Sequence, residues 1–290
     1  MHGDHCSDIP FIKEKYGVEV WTLDSMVDQF ENPKQYNYVA PINTYGIGIE
    51  AIKIDRAFKN GESFQWEGYN FAVDWLPGQT EFGLCLQGII DNRLVAFTGD
   101  NIFGDPNDIT QNGHEAVVAH NSGILEEGYI YTADYLQKLK PDLLVGGHSW
   151  VMDKPKGLIE RFKASALSLR DAFIALSAEE DYRYMFDPFW INAKPYRITL
   201  KPNESTEIEL KIRNFLNHEL FHHIEIHTPK GIKTVPSVIE CSIKSESIQY
   251  SKVNVQAMPD AEKGLYMIAF DVTLGNKRYG EWFDMIINIE

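Results

Sequence analysis

Three cysteines in 290 residues, Cys6, Cys85 and Cys241, are odd in number and widely scattered, and none belongs to a CxxC pair. A disulfide framework is therefore excluded as the basis of the fold. No apolar run approaches the ~20 residues that span a bilayer. The first residues carry charge and histidine where a signal peptide would be apolar. Basic residues are also scarce, since 27 Lys and Arg face 42 Asp and Glu for a formal net charge of -15. Phosphate backbones and anionic lipid attract clustered Lys and Arg, so nucleic acid and membrane are not expected as partners. The chain as given reads as soluble and cytoplasmic, and as extracytoplasmic if a signal precedes it.

What the sequence does hold is enough apolar material, 44% of the residues, for more than one buried core. From Phe64 to Phe97, strand-like runs alternate with turns: Phe64–Trp66, Tyr69–Leu76, Phe82–Ile90 and Arg93–Phe97, punctuated by Pro77-Gly78, Asp91-Asn92 and Gly99-Asp100. An irregular segment rich in Gly, Asn and Asp runs from Asn101 to about Gly128, a length at which loops tend to be functional. The spacing of Ile130, Ala133, Leu136 and Leu139 predicts a helix over 129–139, followed after Pro141 by the short apolar run Leu143-Leu144-Val145. Ile159, Phe162, Ala166, Leu169, Phe173 and Leu176 predict a second, core-packing helix over about 155–178. Beyond Pro195 the pattern changes to six or seven short alternating segments separated by turn signals, the mark of a β-sandwich. Two domains are expected, over 1–192 and 193–290.

The densest concentration of chemistry is at the start, Met1-His2-Gly3-Asp4-His5-Cys6, where two imidazoles and a carboxylate occupy four consecutive positions. Imidazole nitrogen and carboxylate oxygen are the donors that hold zinc, and residues two or three apart on a loop converge on one or two ions. Such a loop usually hangs from a strand. No strand precedes His2 here, so a segment upstream is expected. Three further pieces follow in order: Leu76-Pro77-Gly78-Gln79-Thr80 after one strand, Phe97-Thr98-Gly99-Asp100 at the end of another, and Gly146-Gly147-His148 after a third.

These four pieces in this order resemble the metallo-β-lactamase fold family of hydrolases. In that family an HxHxDH loop, a PGHT-like turn, a strand-ending GD and a late histidine surround two metals. The resemblance covers roughly residues 1 to 180 and implies an α+β fold: a partial metallo-β-lactamase αββα sandwich, with part of its first sheet missing, followed by an all-β sandwich that resembles immunoglobulin-like accessory domains. It implies Asp4, His5 and His148 as ligands of the second metal, Asp100 as the bridge, and His2 as a ligand of the first. Gln79 departs from the pattern, standing where the family usually has a histidine. The first site is thereby left with His2, Asp100 and at most a neutral amide, so a single ion is expected, zinc in the first instance, with iron or manganese as alternatives.

The implied activity is hydrolysis of a small-molecule ester, thioester, lactam or phosphoester through a metal-bound hydroxide, with Asp4 orienting it or passing a proton. The alternative is a non-catalytic scaffold or binding protein with a degenerate metal site, for which Gln79 is the main argument. The absent part of the first sheet would leave an open edge, and self-association is the expected consequence. Other groups have plainer readings. His114 and His120 are six apart, against the four of an HExxH helix, and read as loop residues. Cys6 reads as a small buried residue, and His223, Glu225 and His227 as a solvent-facing row on one strand.

Overall fold

The computed structural model describes residues 3–36, 50–102 and 125–290. The chain forms two compact units, Met1–Glu31 with Val39–Ala178, and Asn32–Tyr38 with Glu179–Glu290. The architecture is mixed α+β, and among the described residues no helix is long and apolar enough to cross a membrane.

The first unit opens with two short helices, α1 (Gly3–Cys6) and α2 (Ile9–Tyr16), then β1 (Trp21–Leu23), α3 (Val27–Glu31) and β2 (Arg56–Phe58). Six further strands form one sheet in sequential order: β3 (Glu62–Trp66), β4 (Tyr69–Trp75), β5 (Leu84–Ile90), β6 (Arg93–Gly99), β7 (Leu143–Gly146) and β8 (Met152–Asp153). Asp91 and Asn92 join β5 to β6 as a two-residue turn with φ of 51° and 60°, the left-handed pair that matches the twist of a hairpin. Leu23, Met26, Phe58 and Val73 form a core cluster against which Trp21, Phe30, Phe64, Trp75 and Leu86 pack.

Two helices complete this unit. In α4 (Tyr129–Leu139), Tyr129, Ile130, Ala133 and Leu136 recur at helical spacing and are buried. Lys140, in the left-handed conformation, donates its N–H to the Leu136 carbonyl and ends the helix just before Pro141. Tyr135 on α4 donates to Asp74 Oδ2 at 2.8 Å, tying the helix to β4. In α5 (Lys156–Leu176), Ile159, Phe162, Ala166 and Phe173 are buried, and the Phe162 ring meets Tyr129 edge-to-face.

The direction of the strands places the site. β4 and β6 each run antiparallel to β5, and β7 runs parallel to β6, so β4, β6 and β7 all end on the same side of the sheet. In open α/β sheets this carboxyl end is where ligands bind, because the loops leaving it converge. Here those loops carry Gln79, Asp100 and His148.

The second unit contains α6 (Arg183–Phe186) and nine strands: β9 (Ile191–Lys194), β10 (Arg197–Leu200), β11 (Ser205–Arg213), β12 (Leu220–His227), β13 (Ile232–Val235), β14 (Val238–Ile243), β15 (Ile248–Ala257), β16 (Gly264–Leu274) and β17 (Lys277–Ile289). They form a five-stranded sheet, β10-β17-β16-β12-β14, and a four-stranded one, β13-β15-β11-β9. Strict alternation buries Ile208, Leu210 and Ile212 on β11, Val253 and Val255 on β15, and Ile224 and Ile226 on β12. Trp190, wholly buried, packs edge-to-face on Tyr184, Tyr279 and Phe283 and donates its indole N–H to the Tyr184 carbonyl at 3.1 Å. The buried Asn214 side chain donates to the carbonyls of His218, Ile243 and Lys244 and accepts from the Leu216 N–H and the Tyr184 hydroxyl.

Candidate metal centre

Gly99 ends β6 in a left-handed conformation, φ 56°, which turns the chain so that Asp100 faces back across the sheet end. Its side chain is only 5% exposed. Asp100 Oδ2 lies 2.9 Å from His5 Nε2 and 3.0 Å from His148 Nδ1, while Oδ1 accepts the backbone N–H of His148 at 3.2 Å. The two imidazoles meet edge-to-face with centroids 4.8 Å apart. They are more open than the carboxylate, with side-chain exposures of 35% for His5 and 50% for His148. The three donor atoms lie within 4.8 Å of one another, the one group of three or more potential ligands found among the described residues.

Of the residues expected from sequence, His5, Asp100 and His148 are thus brought together. Asp4 precedes His5 within α1, and its side chain lies outside the described residues, as do the whole of His2, His114 and His120. Gln79 sits in the turn after β4, where its N–H donates to Asn101 Oδ1 at 2.9 Å. Cys6 is buried, and none of the three cysteines forms a disulfide.

Two residues that sequence reasoning passed over shape the centre. Asn101, 4% exposed, donates from Nδ2 to the Leu76 carbonyl at 2.6 Å while accepting from Gln79, so one side chain ties the end of β4 to the residue after Asp100. A β-carbon on Gly78 would stand 2.5 Å from Asn101 Oδ1, so this approach requires glycine. Gly147 donates its N–H to the Gly99 carbonyl at 2.8 Å, and a β-carbon there would stand 2.4 Å from Asp100 Oδ1. The doubled glycine before His148 was the available signal.

The donor set fits a divalent ion. Two imidazole nitrogens and one carboxylate oxygen are a common catalytic complement for zinc, leaving a position open for water or substrate. Ligands about 2.0–2.1 Å from a tetrahedral ion sit roughly 3.3 Å apart, only a few tenths of an ångström wider than the two N···O contacts here. The half-exposed imidazoles have room for that movement.

The fold and site together define an α+β domain with a three-donor centre at the carboxyl end of its sheet. Solved structures similar to the chain include a metallo-beta-lactamase with a HARLDQ motif from Cronobacter sakazakii, 13% identical over 58% of this chain and 67% of that one, TM-score 0.41. FEZ-1 metallo-beta-lactamase from Legionella gormanii is 14% identical over 59% and 71%, TM-score 0.41. BJP-1, a subclass B3 metallo-beta-lactamase of Bradyrhizobium japonicum, is 18% identical over 60% and 68%, TM-score 0.39. The chain spans about two thirds of the length of the first of these. No family model and no curated protein matches it.

Proposed function

We propose that the first unit is a metal-dependent hydrolase whose ion is held by His5 Nε2, His148 Nδ1 and the Asp100 carboxylate. The observation that carries this reading is the convergence of those three donors, from α1 and from the ends of β6 and β7, on one point at the carboxyl end of the sheet. A bound divalent ion supplies Lewis acidity toward a water and toward an acyl or phosphoryl oxygen. Asp100 contributes a charged donor in a largely dry position, and its second oxygen fixes the His148 backbone. Asp4, the neighbour of His5 in α1, is the proposed acceptor of the water's proton.

The substrates in question are esters, thioesters, lactams and phosphoesters, and zinc, iron and manganese all accept these donors. Gln79, in a turn whose family counterpart carries a histidine, favours one ion over two and supports the second reading, a binding protein that retains the metal without turnover. Initial rates on an activated ester, a thioester, a β-lactam and an aryl phosphate, with each metal added, separate the two. Turnover that Asp100→Asn abolishes establishes the hydrolase. Tight metal binding with no turnover on any class establishes the binding protein.

A further inference from the structure

On the outer face of the five-stranded sheet, two imidazoles each have a carboxylate at both ring nitrogens. His223 on β12 stands directly opposite Glu240 on the edge strand β14. Its Nδ1 lies 3.0 Å from Glu240 Oε1, and its Nε2 lies 3.2 Å from Glu225 Oε1. His227, also on β12, has Nδ1 2.8 Å from Oε1 of Glu281 on β17 and Nε2 3.5 Å from Glu225 Oε2. Glu281 reaches His227 across β16, where the residue opposite His227 is the small Ala269. Glu225 thus receives both rings, and the row links β14 to β12 and β12 to β17.

An exposed ion-pair row by itself contributes little to stability. Protonation sets this one apart. A neutral imidazole has one N–H and one lone pair, so it donates at a single nitrogen, whereas an ionised carboxylate only accepts. A neutral His223 or His227 would therefore set a ring lone pair against a carboxylate oxygen on one side. Only the imidazolium donates on both. The carboxylates accordingly raise the proton affinity of both rings, Glu225 and then Glu240 acting on His223, and Glu281 before Glu225 acting on His227. On the neighbouring strands, the further charged groups that act on this row are Asp271 on β16 and Arg278 on β17, which pair with each other. Opposite His223 on β16 stands the uncharged Thr273.

We propose that this row is a proton-operated staple across the sheet, closed when His223 and His227 are both imidazolium and opened when they lose their second protons. Both rings are partly open to solvent, 29% and 43% exposed, so protons reach them without any opening of the fold. The folded rings hold their protons more tightly than unfolded ones, so the stabilisation is full below the ordinary histidine value of about 6.5 and is lost as pH rises through the folded values. On the acid side, the same two rings hold the Glu225 carboxyl below the usual carboxylate range, and the staple also opens as pH falls through that lowered value. Losing both ring protons takes the row from an excess of one negative charge to an excess of three, and its carboxylates then repel one another. The place where an open staple shows is β14, which has a strand partner on one side only. This device lies in the second unit and does not rest on the hydrolase reading.

The test is an NMR titration of the imidazole nitrogens of the full chain across the neutral range. His223 and His227 are expected to titrate above the ordinary value of about 6.5. Glu225→Gln is expected to lower both midpoints, Glu240→Gln that of His223, and Glu281→Gln that of His227. Amide protection factors along β14, corrected for the intrinsic exchange rate at each pH, are expected to fall as pH rises through the same midpoints, and Glu240→Gln is expected to remove that step. Midpoints at or below about 6.5 in the unaltered chain, midpoints indifferent to Glu225→Gln, or β14 protection that holds level across them overturns the proposal. The first and third of these are read from the unaltered chain, so they stand whatever a variant does to the fold.

Discussion

Gly147 lies so close beneath Asp100 that any β-carbon would collide with the carboxylate, at 2.4 Å from Oδ1, and crowd His5 Cε1 at 3.0 Å. Replacing Gly147 by alanine is therefore expected to push two of the three donors apart with little effect on the sheet behind them. Zinc affinity at this centre, measured against a chromophoric chelator, should fall about 10- to 100-fold, while the melting temperature moves little.

Asn101 is expected to matter for stability as much as for chemistry. Its buried amide serves the Leu76 carbonyl and the Gln79 N–H together, so Asn101→Ala leaves two backbone groups without their partner. Such a loss costs about 1–3 kcal/mol, visible in a urea titration. Asn101→Asp retains the acceptor for Gln79 and should recover part of it.

The second unit is expected to weaken in alkali. Burial pushes the Tyr184 hydroxyl up to about 12, and it donates to Asn214 Oδ1 while accepting the Phe215 N–H. An unfolded tyrosine ionises near pH ~10. The folded pKa is the higher one, so this contribution is full below pH ~10 and is lost as pH rises toward the folded value. Burial shifts Tyr196 and Tyr279 in the same direction. Melting temperature plotted against pH should decline above pH ~10, and Tyr184→Phe should make that decline shallower.

Cys85 is expected to be chemically silent in the folded protein. It is wholly buried, and burial pushes its thiol up to about 12, which removes the thiolate that thiol reagents attack. Ellman titration should leave Cys85 unmodified until denaturant is added.

Much of this architecture could be read from the chain because the signals were local. The apolar spacing of Ile130, Ala133 and Leu136 before Pro141 predicted a helix over 129–139, and α4 occupies the same residues. Asp91-Asn92 marked its hairpin, and long alternating strands such as β11 and β12 stood out in the second unit. Strands β1 and β2, three residues each, and β9 and β13, four each, are too short to display a period and form because partner strands pair with them.

The same contrast holds at the centre. His5, Asp100 and His148 were visible because metal chemistry restricts residue type and because two of them follow strand-ending glycines. Asn101 acts through a hydrogen-bonded clamp, which leaves no compositional trace, and Gly147 acts through the absence of a side chain, to which the doubled glycine before His148 is the one sequence pointer.

The most direct test of the metal centre is zinc bound per chain, determined by plasma mass spectrometry in protein purified without chelator. The account predicts about one equivalent, falling close to zero when Asp100→Ala is added. Zinc near zero in both proteins, or retained in full without Asp100, would contradict it.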